Sequence, residues 1–506
     1  MELEEEEIIE ENYTKKVVKG AGIIFIFTLV ALFFAYLMRV LLARNLSVEE
    51  YGLFYAVFSM FSFLILFRDL GLTRSLVKFI PEFKVKKQCN LIKDSIISIF
   101  SFQFVASAII TIILIIFSDF LAINYFHNAH ASSVIRILAL SFWLKPFILL
   151  CGGIFQGFQK MWQYASIDLT RSILVLILSF VGFNISKGVS VPSIATLITS
   201  ILLLLIFIPL LLKVIPIEFF KKKFVIDKKL LKKLFGFGIS TMAGDINWFI
   251  IGGIDIFILT YFAGLEQVGL YNASLPTASL LSYFGVAIAT ALLPVTSELW
   301  TKKNKKRLAD GISKLHKYSF AIVIPFALIM FCFPELILNL LFGKNYIIAS
   351  TSLRILSLAF IFMTLSRVNL NTLLGIGKPK VNIKIAIITV IFNLILNLIL
   401  IGLLGMGILG ASISALLTAL AMFLLSLIKL KKFAKIRIPI IMWLKNIVAG
   451  VIFVLVALFL KELLVLNPYI EAILVVIIAC LVYLASLFAF KIISTQEFKN
   501  LINLSK

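Results

Sequence analysis

Long runs of apolar residues recur from one end of the 506-residue chain to the other, separated by short polar segments. A helix of about 20 apolar residues crosses the hydrocarbon core of a bilayer, whereas the strands of a membrane barrel are shorter and alternate apolar with polar positions. The pattern therefore predicts an all-α polytopic membrane protein with about 14 transmembrane helices. We expect these helices to begin near Val18, Tyr51, Ser95, Ala131, Trp162, Ser190, Leu234, Glu266, Leu315, Ala349, Lys380, Met406, Ile438 and Tyr469.

The composition excludes a soluble protein. Hydrophobic residues make up 61% of the chain and charged residues only 14%, and the mean hydropathy is +1.09. A soluble protein of this composition would have to cover its surface with Ile, Leu and Phe. The four cysteines show no metal-ligand spacing, so neither a metal site nor disulfide bonds are expected.

The chain contains an internal repeat. The segment Arg136–Lys160 begins RILAL and returns as Arg354–Lys378, which begins RILSL. Three residues of Glu49–Leu53 also recur within Glu266–Leu270, at the same spacing to within one residue. Two pairs of similar segments, separated by nearly the same number of residues, indicate that one half of the chain is a duplicate of the other.

The repeat divides the predicted helices into six, six and two. We expect an acidic tail at 1–17, a six-helix bundle at 18–214, a basic linker at 215–233, a second six-helix bundle at 234–430, and two additional helices with a C-terminal tail at 431–506. Because each copy holds an even number of spans, both copies enter the membrane from the same side. Parallel repeats of this kind occur in transporters that rock two bundles about a site near the bilayer midplane.

Basic residues lie on one side of the predicted membrane. If the N-terminus is cytoplasmic, the inside segments hold 35 Lys and Arg residues and the outside loops hold 4. This bias alternates loop by loop, as the positive-inside rule requires, and predicts a multi-pass protein of the cell membrane with both termini cytoplasmic. The net charge of +23 is explained in this way, and nucleic-acid binding is not expected.

The remaining charges lie within the predicted spans. They comprise nine bases (Arg39, Arg68, Arg74, Arg136, Lys145, Arg171, Arg354, Arg367 and Lys445) and four acids (Asp69, Asp168, Asp245 and Asp255). A charge at mid-bilayer costs roughly 2.5–3.5 kcal/mol on insertion scales, and ion pairs alone cannot absorb a surplus of bases. We therefore expect a hydrated, positively lined cavity between the two halves, which suits an anionic substrate.

Lys145, Arg171 and Arg367 are the deepest of these cations. Lys145 lies near the predicted midplane and has a methionine as its repeat counterpart, so it does not serve the shared scaffold. Arg171 follows Asp168 by three residues, a spacing that also permits a mutually satisfied ion pair. Arg39 and the repeat-matched pair Arg136 and Arg354 lie near span ends, where they can reach the headgroups.

Other polar residues in the spans have two interpretations. Asp245, beside Asn247, and Asp168 are candidates for binding a coupling proton or Na⁺, as buried acids in transporters do, or for ion pairing. Asn369, Asn371, Asn393 and Asn397 either line a polar cavity or hold helices together, and interhelical hydrogen bonding is the more common role.

Two short sequence motifs and the arrangement of the predicted spans resemble a known superfamily. The phrase RDLGL at Arg68–Leu72, which continues to IPE at Ile80–Glu82, is similar to the polysaccharide-transporter branch of the multidrug/oligosaccharidyl-lipid/polysaccharide flippase superfamily. The phrase SVEEYG at Ser47–Gly52 and the arrangement of six, six and two spans resemble it as well.

The resemblance implies a function. It implies a V-shaped pair of bundles that moves an oligosaccharide, linked to a polyprenyl or dolichyl (pyro)phosphate, across the membrane by alternating access. It also implies that cationic cavity residues hold the phosphate, a role carried here to Lys145, Arg171, Arg367 and Arg68, of which only Arg68 lies within a matching phrase. The expected partners are membrane lipid and the lipid-linked oligosaccharide. The protein is expected to act as a monomer, with no cofactor beyond possible H⁺ or Na⁺ coupling.

Two other functions compete with the flippase. A cation-coupled multidrug exporter of the same superfamily would need acidic cavity residues for cationic substrates, which the surplus of bases disfavours. A membrane glycosyltransferase or polymerase would need a catalytic acid or base on a sizeable loop. The predicted outside loops are too short for that, and His127 and His130 supply too few ligands for a metal site. We therefore expect a transporter and not an enzyme.

Overall fold

The computed structural model describes residues 2–215, 225, 227–283, 285, 296–434, 439–464 and 467–492, and of these the side chains of 2–19, 21, 243–252 and 305 lie outside the described set. Throughout these ranges the regular structure is helical, with no strand. The helices are α1 (Glu2–Asn45), α2 (Val48–Asp69), α3 (Leu72–Val85), α4 (Cys89–Ile116), α5 (Ser118–Asn124), α6 (His130–Gly157), α7 (Met161–Ile185), α8 (Ser190–Val214), α9 (Lys228–Phe262), α10 (Leu265–Ser279), α11 (Lys305–Cys332), α12 (Pro334–Leu341), α13 (Ser350–Gly375), α14 (Pro379–Asn397), α15 (Gly407–Ala434), α16 (Ile440–Leu463) and α17 (Pro468–Ala489). A 3₁₀ turn at Lys344–Ala349 precedes α13, and a π-helical turn at Leu398–Leu403 follows α14.

Among the described residues, 12 helical segments are long and apolar enough to cross a membrane. They coincide with twelve of the spans expected from the sequence, which confirms the all-α polytopic fold. The two other expected spans, near Leu234 and Glu266, fall on α9 and α10. Parts of this region, 243–252 and 286–295, lie outside the described residues or side chains, and the part that is described shows a shorter apolar segment, Gly253–Phe262.

The chain divides into two compact units, Met1–Gly269 and Leu270–Lys506. In the first unit α6 is central and packs against α2, α3, α4, α5, α7 and α8, while α1 packs along α7. One cluster of this core joins apolar side chains of α3, α4, α6, α7, α8 and α9. In the second unit α13 is central and packs against α11, α14 and α15, and α16 packs against α11 and α17. The domain boundaries expected from the sequence stay a prediction.

Each unit contains the same ion pair at the start of its central helix. Arg136 donates to Asp119 at 2.7 Å, and its repeat counterpart Arg354 donates to Glu335 at 2.5 Å. Both acids lie in the first turn of a short helix, α5 or α12. The two arginines, expected to reach headgroups, are therefore paired with carboxylates that lie just outside the apolar runs, which lowers the surplus of unpaired bases.

The phrase SVEEYG forms the start of α2. The Ser47 hydroxyl accepts from the Glu50 backbone N–H at 3.1 Å, and the Glu50 carboxylate accepts from the Ser47 N–H at 3.0 Å. This reciprocal cap satisfies two of the backbone donors that a helix start leaves free. One turn later, a Cβ on Gly52 would lie only 1.9 Å from the Leu265 carbonyl oxygen. Glycine is therefore required where α2 meets the start of α10 within the first unit.

Candidate functional site

A cavity of about 740 Å³ lies inside the first unit, enclosed by α1, α2, α3, α6, α7 and α8. Its volume is in the usual range for sites that bind small molecules or parts of larger ones. Five cationic side chains and two carboxylates line it, which leaves three positive charges: Arg39, Arg68, Arg74, Lys145 and Arg171 against Asp69 and Asp168. Three of the four cations expected to hold an anion, Arg68, Lys145 and Arg171, thus line a single cavity.

Arg68 is the most buried cation of the cavity. Its side chain is fully buried, its Nη1 donates to the Phe142 carbonyl at 3.1 Å, and its guanidinium carbon lies 4.5 Å from the centroid of the Phe142 ring. Its Nε and Nη2 have no hydrogen-bond partner among the described residues. Buried donors of a charged group without acceptors are costly. An anion in the cavity would supply the missing acceptors.

The break between α2 and α3 positions Arg68. The two residues after Asp69 have left-handed backbone angles, with φ 47° at Leu70 and φ 71° at Gly71. A Cβ on Gly71 would lie 2.2 Å from the Gly238 carbonyl oxygen of α9. Glycine is therefore needed at this position both for its angle and for its lack of a side chain. The RDLGL phrase ends one helix, begins the next and leaves Arg68 at the last turn of α2.

The Asp69 carboxylate is hydrogen-bonded to groups other than Arg68. Its Oδ1 accepts from the Thr73 backbone N–H at 3.2 Å, from the Thr73 hydroxyl at 2.5 Å and from the Gln103 side-chain amide at 2.5 Å. The carboxylate thus serves the first turn of α3, where it satisfies a backbone donor. No ion pair joins Arg68 and Asp69 in the described part of the chain, so the guanidinium charge is left without a carboxylate.

Lys145 is the second uncompensated cation. It lies in the middle of α6, half-buried, and its Nζ lies 5.3 Å from the centroid of the Phe58 ring. Within the ranges that the structure describes, Lys145 has neither an ion pair nor a hydrogen bond. The aromatic face gives only a weak attraction, on the order of 1 kcal/mol. Lys145 therefore presents an ammonium group to the cavity.

Arg171, in contrast, is paired. Its Nε and Nη2 both lie 3.2 Å from Asp168 Oδ1, one turn earlier on α7. The two side chains are 48% and 74% exposed, so the pair is open to solvent in the cavity and contributes little to stability. The mutually satisfied pair that the sequence spacing allowed is the arrangement found.

Two further cations of the cavity were not expected there from the sequence. Arg39 was expected to reach the headgroups, but it lines the cavity with its guanidinium carbon 4.4 Å from the centroid of the Tyr55 ring. Arg74, on α3, lies with its Nη1 3.5 Å from the Thr241 carbonyl oxygen. How deep these residues lie along their helices can be read from the sequence. The side of the helix on which they face a neighbour cannot, because the packing of the helices sets that direction.

The other expected site residues lie elsewhere. Arg367 is on α13 of the second unit and is not part of the lining of this cavity. The side chains of Asp245 and Asn247 lie outside the described residues. The roles proposed for these three residues stay predictions.

The four asparagines make hydrogen bonds within the second unit. Asn369 is fully buried and joins three helices, with its Oδ1 2.7 Å from His316 Nε2 and its Nδ2 donating to Ser426 at 3.0 Å. Asn371 donates to the carbonyl of Arg367 in its own helix at 2.9 Å.

Asn393 and Asn397 form a connected pair. Asn397 donates to Asn393 at 3.1 Å, and Asn393 donates to Ser414 at 3.2 Å. All four asparagines thus hydrogen-bond between or within helices. This is one of the two roles that the sequence allowed for them, the other being to line a polar cavity. The described residues contain no group of three or more His, Cys, Asp or Glu side chains that could hold a metal ion.

Comparison with known proteins places the chain among membrane transporters. A model of the family described as "Polysaccharide biosynthesis protein" matches residues 17–300, and one described as "MatE" matches residues 243–399. An uncharacterized membrane protein of Methanocaldococcus jannaschii is 32% identical, over 97% of this chain and 99% of its own length. A putative O-antigen transporter of Shigella flexneri is 26% identical, over 74% of this chain and 88% of its own.

The fold also matches that of solved structures. The lipid II flippase MurJ, in an inward closed conformation, superposes with a TM-score of 0.72 at 20% identity, over 92% of this chain and 97% of the other. The resemblance drawn from RDLGL and from the plan of six, six and two spans is thereby confirmed. Because the first family model covers more than half of the sequence, this chain belongs to the polysaccharide biosynthesis protein family, within the superfamily of flippases and multidrug transporters.

Proposed function

We propose that this protein is a flippase that carries an oligosaccharide, linked to a polyprenyl or dolichyl (pyro)phosphate, across the cell membrane by alternating access for glycan biosynthesis. The observation that carries the proposal is the pair of cations, Arg68 and Lys145, that line a cavity in the first unit and have no carboxylate partner among the residues that the structure describes. The family description, polysaccharide biosynthesis, and the O-antigen transporter among the relatives support the same class of cargo.

The cations divide the work of binding the phosphate. Arg68 offers two free N–H groups on a planar guanidinium, a geometry suited to two phosphate oxygens, and Lys145 offers a point charge. Arg171 is already paired with Asp168 and contributes less. Arg367 adds to binding if the second unit presents it to the same cargo. A cavity of about 740 Å³ holds the phosphate and the part of the glycan next to it, while the lipid tail and the rest of the glycan lie outside.

The orientation follows from charge. Both termini are cytoplasmic because the basic loops stay inside, and the protein acts in the cell membrane as a monomer that moves its cargo without covalent chemistry. Asp245 and Asp168 are the candidates for H⁺ or Na⁺ coupling. Of these, Asp168 already has the Arg171 guanidinium at 3.2 Å, so its protonation would also release a cation into the cavity.

The test compares variants in a strain that lacks the protein. Inner-leaflet lipid-linked oligosaccharide should accumulate in that strain, and the wild-type gene should clear it. Lys145→Gln and Arg68→Gln each remove a charge-assisted contact of about 1.5–3 kcal/mol, so transport should fall by about tenfold or more. Lys160→Gln, at an exposed lysine just beyond α6, and Arg136→Gln, at an arginine outside the cavity, are matched controls that should transport normally. Normal clearance by both cavity variants would refute the proposal.

A multidrug exporter is the second candidate, because the MatE model matches 243–399. Such a transporter favours cationic substrates, which three net positive charges in the cavity would repel. Increased sensitivity of the deletion strain to cationic drugs, with normal glycan export, would favour the exporter.

A further inference from the structure

Thr199, on α8, is one of the residues that line the cavity, and its hydroxyl has no hydrogen-bond partner in the described protein. Its side chain is 2% exposed, and its Oγ1 makes no hydrogen bond. A threonine in a helix usually donates to the carbonyl one turn earlier, as Thr196 does to Pro192 at 2.7 Å. Ser200 likewise donates to Thr196 at 3.0 Å. Thr199 is therefore the exception on a wall where its neighbours are satisfied.

The Thr199 hydroxyl lies on α8, which is hydrogen-bonded to the segment of α6 that accepts a hydrogen bond from Arg68. Arg68 donates to the carbonyl of Phe142. The preceding residue, Ser141, is hydrogen-bonded to Ser200 at 2.8 Å, and Ser200 directly follows Thr199. These hydrogen bonds join α8, the helix that carries Thr199, to the segment of α6 that accepts from Arg68. Both Thr199 and Arg68 line the same cavity.

The chemistry of this wall differs from that of the cationic side. Thr196, Thr199, Ser200 and Ser172 line it with hydroxyls and no charge, and only the Thr199 hydroxyl is left to donate to a ligand and accept from it. A neutral hydroxyl that can do both matches another hydroxyl group better than it matches a phosphate oxygen. In a lipid-linked oligosaccharide, the hydroxyl-rich group nearest the phosphate is the first sugar.

We propose that the Thr199 wall is the subsite for the first sugar of the cargo and makes this cavity selective for glycosylated over bare lipid phosphate. The inference rests on the proposed function. It adds a specificity-determining residue, because a site that hydrogen-bonds a substrate hydroxyl discriminates against the analogue that lacks it. The bare carrier, which has to return to the inner leaflet, would then bind less tightly in the same cavity.

The experiment measures binding to the purified full-length protein in lipid nanodiscs. The probes are citronellyl phosphate and its glucosyl, mannosyl and N-acetylglucosaminyl phosphodiesters. For the wild type, at least one glycosylated probe should bind about tenfold more tightly than citronellyl phosphate, the ratio that one good hydrogen bond of about 1.4 kcal/mol provides. Thr199→Val, which keeps the shape, should abolish this preference and change citronellyl phosphate binding by less than about twofold.

Two further variants separate a lost contact from a disturbed fold. Ser193→Ala, on the same helix but outside the cavity lining, removes a hydroxyl that donates to the Val189 carbonyl at 2.9 Å and should keep the preference. Thr199→Ser keeps the hydroxyl and should keep it as well, even if Thr199→Val proves poorly folded.

The outcomes distinguish the two proposals. Equal binding of all probes to the wild type, equal loss of all probes in a Thr199→Val protein that unfolds at the wild-type temperature, or loss of the preference in Thr199→Ser would overturn the sugar subsite while leaving the flippase intact. Failure of every probe to bind, or binding that Arg68→Gln and Lys145→Gln leave unchanged, would overturn the anion site of the proposed function and the subsite with it.

Discussion

Replacing Arg68 with methionine should make the protein more stable while it removes phosphate binding. The two N–H groups of Arg68 that lack acceptors each cost about 1–3 kcal/mol when buried. Against this stand one hydrogen bond to Phe142, worth about 1 kcal/mol, and one cation–π contact with its ring, worth about 0.5–2 kcal/mol. Methionine fills a similar volume with flexible apolar atoms. With each of these contributions taken at the middle of its range, the balance favours the variant by about 2 kcal/mol.

Thermal unfolding of purified protein, followed by tryptophan fluorescence, measures the stability, and binding of citronellyl phosphate measures the function. Arg136→Met is the control, because Arg136 is an arginine of comparable length whose partner, Asp119, lies 2.7 Å away at a half-exposed site. It should lose less than about 1 kcal/mol and keep phosphate binding. A melting temperature that falls in Arg68→Met by more than in Arg136→Met would show that Arg68 holds the fold together, and the reasoning that assigns it to an anion would be wrong.

Two further predictions concern the inner end of the first unit. Gly71→Ala should prevent correct folding, measured as loss of monodisperse protein, because its φ is +71° and the new Cβ would lie 2.2 Å from a carbonyl oxygen of α9. Gly236→Ala, with no atom within 4 Å of the new Cβ, should be tolerated, and equal yields for both would contradict the account of the RDLGL phrase. Lys86 and Lys233 donate hydrogen bonds to Glu82 and lower its pKa from 4.5 to about 2. Their contribution to stability is therefore complete above pH 4.5 and is lost as the pH falls towards 2. Melting temperatures between pH 6 and 3 should fall less steeply for Glu82→Gln than for the wild type, and identical slopes would refute this assignment.

The candidate site shows how far depth along a helix predicts function. Lys145 was singled out because it lies in the middle of a span and lacks a repeat counterpart, and the structure places it on the cavity. Arg171 has the same depth, yet it is paired with Asp168 because the two residues are three apart on one helix. Arg39 is predicted to be an interfacial anchor, but it lines the same cavity. The position of a charge along its span therefore identifies which charges are costly to bury. Which partners those charges have is set by the packing of the surrounding helices.

The cavity itself was expected between the two halves, whereas the one described here lies inside the first unit. Arg68 and Asp69, which both line it, lie just before the break at the left-handed residues Leu70 and Gly71, where α2 ends and α3 begins. The phrase that carries this break was recognised only by resemblance. Its physical meaning required the position of α9, whose Gly238 carbonyl approaches Gly71.

The sequence by itself determined that the chain is helical, membrane-spanning and duplicated. The helical and membrane-spanning properties depend on interactions between residues that are close in the sequence. A run of apolar residues in lipid forms a helix because its backbone N–H and C=O groups then hydrogen-bond to each other, and the length of the run decides whether it crosses the membrane. The tertiary structure alone decided that Arg136 is paired with Asp119 and that, among the described residues, Arg68 has no carboxylate partner and the Thr199 hydroxyl no hydrogen-bond partner. The rotation of each helix about its axis is set by contacts with its neighbours, and residues far apart in the chain supply those contacts.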